Sequence, residues 1–123
     1  MNRTIKFRGK NRQGEWIYGN YCKFTQYDDV YIIPEDMVGI IVEVEEFKVD
    51  PETVGQFTGM RDRCGQEIYE GDVVKFDDEQ ENGMVVFDER QVLFGLLYDD
   101  LYNPRIFGLY DCKPKELEII AND

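Results

Sequence analysis

Histidine is absent from the 123 residues, and that gap excludes more than any motif includes. Without imidazole there is no Ser–His–Asp or Cys–His nucleophile pair, and no Cys2His2 zinc site. Cysteine is scarce: Cys22, Cys64 and Cys112 are odd in number and widely spaced, with no C-x-x-C pair. That pattern fits neither a disulfide framework nor a metal knuckle. No apolar run approaches the roughly 20 residues that a membrane-spanning helix needs. The opening "MNRTIKFRGK" also lacks the apolar segment of a signal peptide. The expectation is a cytoplasmic protein with no cofactor, no metal and no membrane contact. Basic residues are in the minority too, 14 against 26 acidic, for a formal net charge of -12. Nucleic acid is repelled by such a surface unless a local patch reverses the field. Arg3, Lys6, Arg8, Lys10 and Arg12 thicken at the start, but acids dominate afterwards, so direct nucleic-acid binding is disfavoured.

What the chain does have is core-forming material, 42% hydrophobic and 14% aromatic residues, in a length suited to one domain or two small lobes. "TIKFRGK" alternates Ile5 and Phe7 with Lys6 and Arg8, the period of two that lays one face of a strand on a core. "WIYGNYCKF", "VYII" and "GIIVEVEEFKV" read as further strands, the last spanning residues 39–49. At "DPETVG", Asp50 caps a short helical turn and Pro51 suits its first position. The second half offers five short strands, "DVVKFD", "MVVFDE", "QVLFGLLY", "IFGLYD" and "LEII", separated by polar turns. The fold class is therefore mainly β, with a β-rich α+β fold as the alternative. An N-terminal hairpin-and-sheet lobe (residues 1–50) leads through a linker (51–56) to a small SH3-like barrel lobe (57–123). Gly83 is expected to let the second barrel strand bend.

An internal echo explains the glycines. "FRGKNRQGEWIYGN" (residues 7–20) resembles "FTGMRDRCGQEIYEGD" (residues 57–72), each with Phe-x-Gly, a polar turn holding a second glycine, then Ile-Tyr and a third glycine. Phe57, Gly59, Gly65, Ile68, Tyr69, Gly71 and Asp72 are the motif positions of the second copy. A phosphate-binding loop needs its glycines to open a helix, usually with Lys-Ser or Lys-Thr behind them. Neither copy is followed by helical periodicity, so these glycines are hairpin corners.

The stretches "KFRGK…GEWIYG" and "PETVGQFTGMRDRCGQEIYEGDVV" resemble the YopX family of phage and prophage proteins, and the resemblance covers essentially the whole chain. The ending "GLYDCKPKELEII" departs from the family's usual one. The resemblance implies a two-part β-rich protein with an SH3-like second part, working in the host bacterial cytoplasm. It brings no reaction, ligand or catalytic residue with it.

Candidate chemistry is thin. Glu67, Glu70 and Asp72 cluster in the motif, and two of them could serve a hydrolase as acid and base. The structural alternative has Asp72 closing a turn while Glu67 and Glu70 face water. Asp77, Glu79 and Glu81 alternate before Gly83 but lack the pattern of a calcium loop, which leaves an acidic hairpin tip. Tyr98, Tyr102, Phe107 and Tyr110 form a candidate interaction surface, for a host or phage protein partner or for a second copy of the chain. The alternative is that half of them fill the barrel and half pack against another subunit. The acidity also admits a DNA mimic that inhibits a host nuclease or defence protein, although 14 basic residues interrupt the acids. The reading is a non-catalytic homo-oligomer that acts by protein binding. A carboxylate- or Cys64-based enzyme and the DNA mimic are the rival readings.

Overall fold

The computed structural model describes residues 5–23, 28–37, 44–76, 82–88, 93–98, 105–109 and 112–122. Its strands are β1 (Phe7–Lys10), β2 (Trp16–Lys23), β3 (Val30–Ile33), β4 (Lys48–Val49), β5 (Gly55–Arg61), β6 (Glu67–Tyr69), β7 (Val73–Phe76), β8 (Asn82–Asp88), β9 (Leu93–Tyr98), β10 (Arg105–Gly108) and β11 (Leu117–Ala121). Among the described residues there is no α-helix, so the mainly β class holds. The chain divides into two compact units, Met1–Phe57 and Thr58–Asp123.

In unit 1 the strands run β4-β3-β2-β1 and then the start of β5, all antiparallel. Phe7, Ile17, Val30, Ile32, Val49 and Val54 pack together on one face. Gly19 lies within that sheet at φ +155°, where an added Cβ would overlap the Ile33 carbonyl oxygen. Only glycine fits there. The turn expected after Asp50 is present as a 3₁₀ turn at Pro51–Thr53, with the Asp50 side chain accepting from the Glu52 N–H. It is tied to β1, since the Lys10 N–H donates to Thr53 Oγ1 at 2.8 Å and the Asp50 N–H to the Lys10 carbonyl at 2.8 Å.

Two strand-level expectations need correction in unit 1. Of the strand expected over residues 39–49, the described part is a 3₁₀ turn at Val44–Phe47 followed by the two-residue β4. The adjacent pair Glu45-Glu46 breaks the alternation; a turn holds both in water and lets Lys48 and Val49 pair with β3. Along residues 5–8, leading into β1, the exposures also differ from the pattern, because Ile5 is 62% exposed while Arg8 is 3% exposed. Arg8 is buried by stacking: its guanidinium lies 4.1 Å from the Trp16 ring centroid, and the side chain's apolar stem and flat cation suit an aromatic cover.

Unit 2 holds all five expected strands in the order β10-β9-β8-β7-β11, a meander with its last strand returned beside its first. Ile68, Val74, Val85, Leu96, Leu109 and Leu117 are wholly buried in its core, each contributing about 1.5–3 kcal/mol of burial against the entropy of ordering. Among the described pairings none joins β10 to β11, so the described sheet is open where the sequence anticipates a barrel. Gly83 proves to be a packing site, since a Cβ there would meet Leu96 Cβ at 3.1 Å and Tyr98 Cζ at 3.3 Å. The missing side chain makes room for the tyrosine ring.

Candidate interaction surface

The two sequence echoes fold into the same corner. In the first, the Asn11 N–H donates to the Glu15 carbonyl and the Gly14 N–H to the Asn11 carbonyl, both at 3.0 Å. Asn11 Oδ1 accepts from the Gln13 N–H at 3.0 Å and the Glu15 N–H at 2.9 Å. In the second, Asp62 and Gln66 bond at 2.9 Å, the Gly65 N–H donates to the Asp62 carbonyl at 3.0 Å, and Asp62 Oδ1 accepts from the Cys64 and Gln66 N–H groups, both at 2.9 Å. Gly14 and Gly65 have φ of +79° and +83°, which glycine alone adopts without strain. The spacing between copies is thus the one relating Asn11 to Asp62, Ile17 to Ile68 and Tyr18 to Tyr69. Gly9 and Gly59 are not equivalent. Gly59 sits at φ +88°, while a Cβ on Gly9 would meet Val49 Cγ2 at 2.8 Å. Glycine spacing alone does not single out Asn11 and Asp62; the signal for them in the sequence is a short polar side chain at that point of a turn.

Asp62 does one thing more than Asn11. It is 4% exposed, and its second oxygen, Oδ2, accepts from the Ile119 N–H at 3.1 Å. Beside it the Arg63 N–H donates to the Leu117 carbonyl at 2.9 Å, and the Arg63 guanidinium pairs with Glu118. β11 is an edge of the unit 2 sheet, so this corner covers polar groups that an edge strand would otherwise offer to another chain.

The carboxylates flagged from the sequence do separate jobs. Asp72 is fully buried and closes a turn: Oδ2 accepts from the Tyr69 N–H at 2.8 Å, and the Asp72 N–H donates to the Tyr69 carbonyl at 3.1 Å. Gly71, at φ +97°, completes it. Glu67 accepts from the Tyr69 hydroxyl at 3.0 Å and pairs with Arg61 at 3.5 Å. Among the described residues no three His, Cys, Asp or Glu side chains gather as a metal site would require. No helix among them is long and apolar enough to cross a membrane. Phe57 is buried with the Lys6 ammonium 5.5 Å from its ring centroid, and Ile68 lies in the core of unit 2.

The aromatic surface suggested near the C-terminus is revised. Tyr98 is 1% exposed and packs in the unit 2 core beneath Gly83, so its ring fills the core and is not part of the surface. Phe107 has its backbone in β10 opposite Leu96. Tyr102, Tyr110 and the acidic residues Asp77, Glu79 and Glu81 lie outside the described residues.

Two other features lie on the sheets. On unit 1, the half-buried Lys6 and Lys10 alternate with the buried Arg8 along and just before β1, each within 5.5 Å of the centroid of Phe57 or Trp16. On unit 2, the solvent side of the sheet carries an apolar row across four strands, Ala121 beside Val73, Val73 beside Met84, and Met84 beside Leu97. Met84 is 46% exposed, as is Ile120 next to Ala121. The adjoining row, Glu118–Lys75–Asn82, is polar and carries both charge signs.

The family model described as YopX protein matches residues 6–122. No curated protein matches the chain.

Proposed function

The chain belongs to the YopX family, and on that premise we propose that it is a phage-type protein of the bacterial cytoplasm that acts by protein binding and self-association, without catalysis. The supporting observation is the apolar row Ala121–Val73–Met84–Leu97 on the solvent side of unit 2. A half-solvated antiparallel sheet ordinarily puts polar residues on that side, and in an acidic chain an unbroken apolar row there is a contact surface. A second copy suits it best. The row has no charge to match, and its polar margin carries Lys75 beside Glu118, so a two-fold-related copy sets each cation against the other's carboxylate.

Light scattering on a concentration series of the full chain tests this. The wild type is expected to exceed the mass of one chain at micromolar concentration, and Met84→Asp to return it to one chain with an unchanged circular dichroism spectrum. A wild type that stays monomeric throughout, or a Met84→Asp variant that assembles as well as the wild type, refutes the reading.

A further inference from the structure

Unit 1 carries a groove that neither the apolar row nor the hairpin motif accounts for. One half is a shallow cavity of about 490 Å³ walled by Trp16, Tyr18, Pro34, Met37 and Phe47. The other is a cavity of about 410 Å³ bordered by Arg12, Gln13, Glu45 and Lys48. Both are bordered by Asn11 and Glu46, so an apolar trough runs into a charged one at those two residues.

The corner that lines this groove is the one that, in unit 2, holds an extended strand. There the Arg63 N–H and Asp62 Oδ2 grip the backbone of β11. At the equivalent corner of unit 1, Arg12 lines the groove and its N–H has no partner among the described residues. Asn11 presents an amide where Asp62 presents its second oxygen, a donor suited to a strand carbonyl. The charges point one way. Arg12 lies 3.9 Å from Glu45, Lys48 pairs with Asp29 at 3.3 Å, and Lys10 sits over Trp16. Among the described residues Glu46, at the junction, has no ionic or hydrogen-bonded partner. The open charge in the groove is therefore negative, as is the chain's overall field.

We propose that this groove binds an extended peptide segment of a partner protein, with an apolar side chain against Trp16 and Tyr18 and an Arg or Lys reaching Glu46. Aromatic walls give such a segment rigid contact area, and the Arg12 N–H and Asn11 amide at the rim fix its direction.

Trp16 is the single tryptophan, so intrinsic fluorescence reads the groove directly. The probes are two capped ten-residue peptides, one with Arg two residues from Leu-Pro and its counterpart with Glu in place of Arg, together with a ten-nucleotide oligo-dT. The expected result is a saturable shift in emission with the Arg peptide, at least tenfold weaker with the Glu peptide and absent with oligo-dT. Glu46→Gln should weaken the Arg peptide about threefold, the scale of one partly exposed charge pair, and Tyr18→Ala should weaken it without changing the Arg-over-Glu preference. The proposal is overturned if no probe gives a saturable response, if the Glu peptide or the oligonucleotide binds as well as the Arg peptide, or if Glu46→Gln leaves the preference intact. Met84→Asp should bind the Arg peptide normally, which separates failure here from failure of self-association.

Discussion

The side chains that close the two corners, Asn11 and Asp62, differ at one atom, and exchanging that atom should have unequal consequences in the two units. Asn11 uses a single oxygen, which accepts from the Gln13 and Glu15 N–H groups. Asp62 uses one oxygen for the matching pair and the other for the Ile119 N–H at 3.1 Å. In Asp62→Asn the amide must keep its oxygen on the turn, which turns its NH2 toward the Ile119 N–H. A charge-assisted bond becomes two donors facing each other beside a covered strand edge. The loss is about 2 kcal/mol for the charged hydrogen bond, with no compensating gain elsewhere. Asn11→Asp leaves both turn bonds in place and adds a solvated oxygen, for a change of about 0.5 kcal/mol or less. Urea denaturation followed by far-ultraviolet circular dichroism gives the stabilities, and amide exchange at Ile119 gives the local readout. A 2 kcal/mol loss corresponds to roughly 30-fold faster opening. If Asp62→Asn is as stable as the wild type and Ile119 stays as protected, the edge-cover argument is wrong.

Proline at the next position removes the backbone bond together with the Arg63–Glu118 pair, which is partly exposed and contributes little by itself. Arg63→Pro keeps a residue suited to the second position of the turn but deletes the N–H that reaches Leu117, and a loss of about 1–2 kcal/mol in the same urea assay is expected. Arg12→Pro removes an N–H with no partner among the described residues and should be neutral or stabilising by up to about 1 kcal/mol. Losses of equal size in both would refute the distinction between the corners. Among the glycines, Gly19→Ala places its Cβ 2.7 Å from the Ile33 carbonyl carbon and 2.8 Å from Pro34 Cα, all backbone, whereas Gly14→Ala meets open space at φ +79°. The first should cost at least about 3 kcal/mol from overpacking, and the second about 1–2 kcal/mol from the left-handed backbone alone. Thermal unfolding monitored through Trp16 would expose an error if the two melted together.

The sequence carries the strands of unit 2 because each is a short β-branched or aromatic run between polar turns, and turn chemistry bounded them. It misplaces the described end of residues 39–49, where alternation of Val and Glu promised a strand. Period two records only which residues are apolar; it does not register that adjacent Glu45 and Glu46 both need water. Arg8 is opaque for a related reason. A cation at an alternate position reads as solvent-facing, and only the register that sets it diagonally to Trp16 shows that a ring covers it. Tyr98 is ambiguous on its face, since a tyrosine among acids reads as surface until the glycine that accommodates its ring is placed beside it. The groove is the least legible feature, because it joins residues from β2, two 3₁₀ turns and the first corner that no local pattern connects.

The glycine spacing common to both copies cannot itself decide what a corner is used for, because Gly14 and Gly65 adopt nearly the same φ and close the same turn. The deciding residue is the one that supplies the turn's side-chain acceptor. A carboxylate has an oxygen left over once the turn is closed, and a buried strand edge with an unpaired N–H is the place where that oxygen is worth most. An amide in the same position has only donors left, which cannot receive an edge N–H but can receive a carbonyl. Asp62 therefore commits its corner to the chain's own β11, while Asn11 leaves the equivalent corner facing a groove bordered by Glu46. One turn design thus gives edge protection in one unit and an open recognition rim in the other. The corner with the amide is accordingly the one where partner binding should be sought.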